Sequence, residues 1–348
     1  MMVYNEGGAP AVLESPQCRR CPSETYRRSH HNMNCESARL QGRRKYQEDR
    51  VFCDLHIPIL FYGKNGVKEV RIGMVAVFDG HAGAEASEMA SKLLSDYFLL
   101  HTFYSYALPL TESMHMEILK ALVRTIHDID TTFSKEASEN NLVSGSTATV
   151  VLLVDGHILA AHVGDSKALL CSEKFYTPDE VQAASNGLTW LSAKELTRDH
   201  HPDQVDERLR IETCGSHVDW TGVPRVNGQL AVCQGLLVIY GVLSLPEVMD
   251  WRLLTRNDSY LVVSSDGIYE KLTVQDVCDL LPYGHSKGYE MLTLFPSCDY
   301  PSAECIVKTA FEEGSMDNLS AIVVPLKSAG LLSKNLQNRS SNDEAFSL

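Results

Sequence analysis

Four places in the chain set acidic residues at the ends of apolar runs or in the turns beside them: Glu48 and Asp49 in RRKYQEDR, Asp79 in VAVFDGH, Asp266 in SSDG and Asp317 in GSMDN. Asp165, in AHVGDSK, interrupts a strand pattern in the same manner. One such carboxylate is an ordinary turn or cap residue. Several gathered away from water are not, because each must hold a proton or remain an unpaired charge. Divalent cations resolve that conflict, since carboxylates, a backbone carbonyl and waters make a hard oxygen site suited to Mg2+ or Mn2+. Gly80 fits the same picture: without a side chain, its carbonyl can approach an ion closely.

The elements that must carry these residues alternate between sheet and helix patterns. KEVRIGMVAVF (68–78) predicts a strand that delivers Asp79, and 84–103 a helix with Met89, Leu93, Leu94 and Phe98 on its apolar face. Residues 115–134 predict a second helix. STATVVLLVDGHILAAHVGDSKALLC (146–171) predicts two strands joined at Asp155-Gly156, a dipeptide that tolerates the positive φ of a tight hairpin. Beyond it, 202–215, 273–281 and 302–314 read as helices, 258–267 as a strand ending on Asp266, and 319–326 as a strand. Grouped strands and helices favour a layered α+β domain over a doubly wound parallel sheet. Residues 1–36 read as an irregular extension, 37–327 as the domain and 328–348 as a disordered polar tail.

The 348 residues carry a formal charge of -14, a balance that repels nucleic acid and anionic membrane surfaces. No apolar run reaches the roughly 18 to 20 residues a membrane helix needs. The best stretch, from Leu230, is broken by Gln234 and two glycines. No secretory signal is visible, so the default is a soluble protein of the cytoplasm or nucleus, with membrane association through segments outside this chain left open. The ten cysteines do not imply a disulfide scaffold at this length, and most are expected to be reduced and buried. Cys18, Cys21 and Cys35 near His30 and His31 hint at zinc, beside the plainer reading of incidental thiols in a mobile arm.

The ordered series RRKYQEDR, VAVFDGH, SGSTATVVL, AHVGDSKALL, LTRDHHP, SSDGIYE and GSMDNLSAIVV resembles the metal-dependent protein serine/threonine phosphatases of type 2C, plant members in particular. The resemblance runs over roughly residues 37 to 326. It implies a four-layer αββα sandwich: two mainly antiparallel sheets flanked by helices, with a binuclear Mg2+ or Mn2+ centre at one edge. It also implies hydrolysis of phosphoserine and phosphothreonine in phosphorylated proteins by a monomer. Position by position, Asp79 would bridge both metals and Gly80 offer its carbonyl. Asp266 and Asp317 would complete one metal's shell, Glu48 and Asp49 would hold the other mainly through water, and Asp165 would help bind a third, weaker metal. A water held between two cations is acidified enough to attack phosphorus directly, while the cations stabilise charge on the phosphoryl group. Arg44 matches the family's phosphate-binding arginine, its planar fork suiting two phosphate oxygens; beside Arg43 and Lys45 it also reads as part of a solvated basic cluster. His81 matches a histidine that protonates the leaving oxygen, and by itself also reads as a helix cap. Asn318 reads as an orienting partner of its loop, and the Gly-Ser-Thr at 145–147 as a buried strand entry rather than a nucleophile.

Two departures from the family pattern stand out. Glu270 occupies a position where the family has aspartate; its carboxylate sits on a longer stem and remains a candidate metal ligand. After RVNGQLAV the chain reads CQGLLVIYGVLSLPEV, with the altered stretch at 233–241. These departures motivate an alternative: a catalytically impaired pseudophosphatase that binds phosphoproteins or partners. The segment between the AHVGDSKALL and LTRDHHP motifs, including Phe175 to Trp190, would lie beside the active site.

Overall fold

The computed structural model describes residues 35–63, 66–106, 113–175, 189–202, 204–213, 217–220, 225–226, 245–282 and 300–327. The chain divides into Met1–Asn32 and Met33–Leu348, and every described residue belongs to the second unit. In chain order the first elements are β1 (Glu36–Leu40), β2 (Arg50–Gly63), β3 (Gly66–Phe78), β4 (Gly80–His81), α1 (Glu85–Tyr106) and α2 (Met114–Asn140). Then come β5 (Gly145–Ser146), β6 (Ala148–Val154), β7 (His157–Val163), β8 (Lys167–Phe175), β9 (Thr189–Glu195), α3 (Val205–Thr213), β10 (Val218–Asp219) and β11 (Arg225–Val226). The series closes with β12 (Glu247–Val248), β13 (Arg252–Leu253), β14 (Asp258–Ser264), α4 (Asp266–Tyr269), α5 (Val274–Asp279), α6 (Ser302–Glu312) and β15 (Leu319–Pro325).

Two antiparallel sheets dominate. One runs β12-β7-β6-β3-β2 with β13 also on β7, and the other β1-β15-β14-β8-β9. Three apolar cores define the layers. Met74, Ala76 and Phe78 of β3 pack with Leu94 and Phe98 of α1 and Leu122 and Ile126 of α2. From the other face of β3, Val75 and Val77 meet Leu261 and Val263 of β14 and Ile322 and Val324 of β15 between the sheets. Beyond the second sheet, Val262, Ala321 and Val323 pack on Val277 of α5 and Ile306 and Ala310 of α6. Because side chains alternate along a strand, β3 faces two different cores and must be apolar on both. The arrangement is an αββα sandwich.

Three features differ from the sequence reading. The hairpin at Asp155-Gly156 is present, with φ of 47° and 79°, but residues 146–171 form more than two strands. The chain breaks at Gly164–Ser166 and crosses from β7 in the first sheet to β8 in the second. β2 was not anticipated: Leu55, Ile57, Ile59 and Phe61 are buried while Asp54, His56, Pro58 and Leu60 face solvent. Its position at a sheet edge accommodates Pro58, which has no amide to donate. Finally, Cys35 is bonded to Cys53 and Cys171 to Cys278, and Cys305 is also in a disulfide, correcting the expectation of mostly reduced thiols. Cys171 and Cys278 lie 107 positions apart in sequence, so only packing brings them together. The zinc reading therefore loses Cys35, and its other residues fall outside the described ones, as do the tail from 328, the altered stretch 233–241 and most of the Phe175–Trp190 segment. Among the described residues no helix is long and apolar enough to cross a membrane.

Candidate metal centre

β3 ends at Phe78 and hands the chain to Asp79, whose backbone is clamped by the strand entry at Thr147. The Asp79 amide donates to Thr147 Oγ1 at 3.1 Å, and the Thr147 amide donates to the Asp79 carbonyl at 2.9 Å. Thr147 Oγ1 also lies 2.9 Å from Ser166 Oγ, and Thr149 Oγ1 donates to the Ser166 carbonyl at 3.0 Å. The Gly-Ser-Thr segment thus ties Asp79 to the turn that presents Asp165. That role has no local sequence signal, because its partners are remote.

Gly80 is required by a close approach. A Cβ there would lie 2.4 Å from the Glu48 carbonyl oxygen and 2.9 Å from Ser87 Oγ. Ser87 Oγ in turn donates to that carbonyl at 2.5 Å, so the Glu48–Asp49 loop closes directly onto the Asp-Gly-His turn. Asn318 holds the loop from the other side. Its Oδ1 accepts from the Glu48 amide at 2.8 Å, while Nδ2 donates to the carbonyls of Gln41 at 2.8 Å and Tyr46 at 2.9 Å.

The carboxylates converge from four separate places and perturb one another. Asp49 is fully buried; one oxygen accepts from Ser320 Oγ at 2.7 Å, and its Oδ1 has no hydrogen-bond partner. Burial pushes Asp49 up to about 7 against the pull of the Ser320 and Ser265 hydroxyls, with Asp266 and Asp317 adding to the rise. Asp79 is raised well above the usual carboxylate range by burial and by Asp266, Asp49 and Asp165. Asp266, the first residue of α4, is raised by burial and relieved by a hydrogen bond with Asp79. Burial and Asp266 likewise hold Asp165, 8% exposed, at about 7, while His201 opposes the shift. A buried, unpartnered Oδ1 and a set of carboxyls that resist losing their protons form a donor set whose charge a divalent cation would balance. The donor set fits hard divalent ions.

Around this cluster, Arg44 is paired with Asp317 at 2.5 Å; burial works against its charge, but Asp317, Asp266 and Asp79 outweigh it and raise its pKa. Asp317 also accepts from the Asn318 amide at 2.7 Å. Glu270 Oε2 accepts from Ser315 Oγ at 3.0 Å and the Met316 amide at 2.8 Å, holding the loop that carries Asp317. Burial lowers the pKa of His81. The Asp-His-His run adds neighbours that the sequence reading did not assign: His201 lies 4.0 Å from Asp165 and 3.7 Å from Asp199, which is paired with Lys167. Arg44, Asp49, Asp79, Asp165, Asp266 and Asp317 thus act on one another electrostatically, and Glu48, Gly80 and Glu270 belong to the turns and loops around them.

Residues 33–319 match the family described as Protein phosphatase 2C. The chain is 44% identical to "Probable protein phosphatase 2C 51" of Arabidopsis thaliana over 99% of this chain and 81% of the relative. That alignment spans 427 residues, more than the chain contains, so the relative carries stretches absent here. It is 40% identical to "Putative protein phosphatase 2C 76" of Oryza sativa subsp. japonica over 94% of this chain and 84% of that one. Among solved structures, serine-threonine phosphatase 2C from Toxoplasma gondii superposes with a TM-score of 0.62 at 19% identity, covering 84% of this chain and 94% of the other, and supports the fold. With its matched domain, its plant relatives and its sandwich, the chain belongs to the protein phosphatase 2C family, the metal-dependent protein serine/threonine phosphatases.

Proposed function

We propose that the protein hydrolyses phosphoserine and phosphothreonine in proteins at a centre of two Mg2+ or Mn2+ ions with a third, weaker site beside it. The observation that carries this reading is the convergence of Asp49, Asp79, Asp165 and Asp266, with Asp49 Oδ1 buried and unpartnered. Asp79 and the Gly80 carbonyl would hold both ions. Asp266 and Asp317 would hold one ion, Glu48 and Asp49 the other mainly through water, and Asp165 the third. Glu270 spends Oε2 on the loop of Asp317 and has its other oxygen for an ion or its water. When bound, the cations supply an acidified water and charge stabilisation at phosphorus.

The chain's own groups do the rest. Arg44 is paired with Asp317 beside the carboxylates. Its planar guanidinium suits two oxygens of a substrate phosphate. His81, with its pKa lowered by burial, gives up a proton more readily than an exposed imidazole and protonates the leaving serine or threonine oxygen. Thr147 and Asn318 keep Asp79 and Glu48 in place. The alternative of an impaired binding module has no supporting observation among the described residues.

The test is hydrolysis of a phosphothreonine peptide by the purified chain with Mn2+ or Mg2+. Turnover that disappears with chelator and in Asp79→Asn is expected. Turnover that survives both overturns the mechanism.

A further inference from the structure

Beside the centre, His200 is fully buried on the segment that follows β9. Both polar groups of the Gly164 backbone end on it: the Gly164 amide donates to His200 Nδ1 at 3.1 Å, and the His200 amide donates to the Gly164 carbonyl at 3.1 Å. Gly164 has φ +105, and a Cβ there would lie 2.5 Å from Thr147 Cγ2, so this turn depends on its partners to hold its shape. Asp165 is the next residue. With Nδ1 accepting, the proton of neutral His200 sits on Nε2, which faces Glu247 Oε2 at 3.2 Å. His162, two residues before Gly164, stacks on the His200 ring at 4.7 Å with an interplanar angle of 9°. Glu247 is the register partner of His162 across β12 and β7.

His162, His200 and Glu247 place their donor atoms within 4.8 Å of one another. Two features argue against an ion there. The rings are parallel, so their in-plane lone pairs do not converge on one point. The His200 nitrogen that faces Glu247 already carries the ring proton. The arrangement is better suited to holding a tautomer than to holding a metal.

We infer that His200 is a positioning residue that sets the Gly164 turn and thereby Asp165, with Glu247 fixing the tautomer that lets Nδ1 accept from the Gly164 amide. The inference rests on the proposed role of Asp165 at the third, weaker metal. It also links that metal to β12, the strand that follows the altered stretch 233–241.

The test is the Mn2+ concentration for half-maximal turnover of a phosphothreonine peptide, measured with the full chain and compared with thermal stability and with tightly bound Mn2+. Asp165→Ala sets the reference shift. His200→Ala is expected to raise that concentration about 10-fold, within the range for losing a group that orients a metal ligand, while tightly bound Mn2+ is unchanged. His200→Asn, whose carbonyl oxygen replaces Nδ1, restores most of the loss. Glu247→Ala, on an exposed residue that leaves folding intact, gives a smaller shift in the same direction. A purely structural role predicts lower stability with an unchanged Mn2+ dependence and no rescue by Asn, and that result overturns the inference. So does an unshifted Glu247→Ala if His200→Ala fails to fold. If Asp165→Ala itself leaves the Mn2+ dependence unchanged, the assignment of Asp165 falls and the inference falls with it.

Discussion

Replacing Asp49 by asparagine should stabilise the metal-free protein at neutral pH and abolish its function. Burial and the carboxylates of Asp266 and Asp317 push Asp49 up to about 7 from an ordinary 3.8. The folded state therefore binds a proton that the unfolded state releases between those values, and stability falls as pH rises through that window. At about 1.4 kcal/mol per unit, the ionised side chain costs the metal-free fold about 4 kcal/mol above pH 7. Asparagine removes that charge and still accepts from Ser320, but its amide group inherits the unpartnered position of Oδ1, returning about 1 to 3 kcal/mol. The net expectation is a gain of about 2 kcal/mol in chelator at pH 7.5, read from urea unfolding of both proteins. Below pH 4 the wild-type carboxyl is protonated in both states, so the gain disappears. Saturating Mn2+ reverses the order, because an ion at 100 times its Kd stabilises the wild type by about 2.7 kcal/mol and the variant by less. A variant that is less stable than the wild type in chelator at pH 7.5, or a gap that does not change with pH, would refute the reasoning.

Gly80→Ala places a methyl 2.4 Å from the Glu48 carbonyl; thermal unfolding should show a loss of about 1 to 3 kcal/mol, with a parallel drop in turnover. Asn318→Ala removes the bonds to Glu48, Gln41 and Tyr46. It should cost about 2 to 3 kcal/mol and weaken Mn2+ binding measured by calorimetry, and unchanged affinity would show that the loop does not depend on it. Burial, with His200 adding to the effect, holds His162 down to about 4. Its contribution is thus fully present above pH 6.5 and lost as pH falls toward 4, by roughly 3 kcal/mol. Urea midpoints in chelator should fall less steeply over that range in His162→Gln than in the wild type.

The carboxylates of the site could be read in the sequence because each ends an apolar run or breaks one, and strand periodicity is a local property of consecutive residues. The same periodicity located β3, β14, β15, α1 and α2. It did not reveal β2, where Pro58 and polar residues interrupt the apolar run and the alternation acquires meaning only when one face is covered. Nor did it send β7 and β8 to different sheets: the apolar pattern breaks at Asp165 and resumes at once, and it is the stacking of two sheets that carries the chain from one to the other at Gly164. The glycine after Asp79 suggested a close carbonyl, whereas the structure shows the space also taken by the Glu48 carbonyl, a contact across 32 positions of sequence.

What the chain by itself determined was the chemistry on offer: acidic groups at strand ends, an arginine and a histidine beside them, and apolar faces of the right period for a layered α+β domain. Those follow from residue types and spacing, which act over a few positions. Tertiary structure alone decided that Asp49, Asp79, Asp165 and Asp266 come together in a buried cluster, that Asp317 pairs with Arg44, and that Gly164 rests both of its backbone groups on His200. Each depends on groups that meet only after two sheets pack, where burial turns ordinary side chains into mutually repelling carboxylates that a cation can settle.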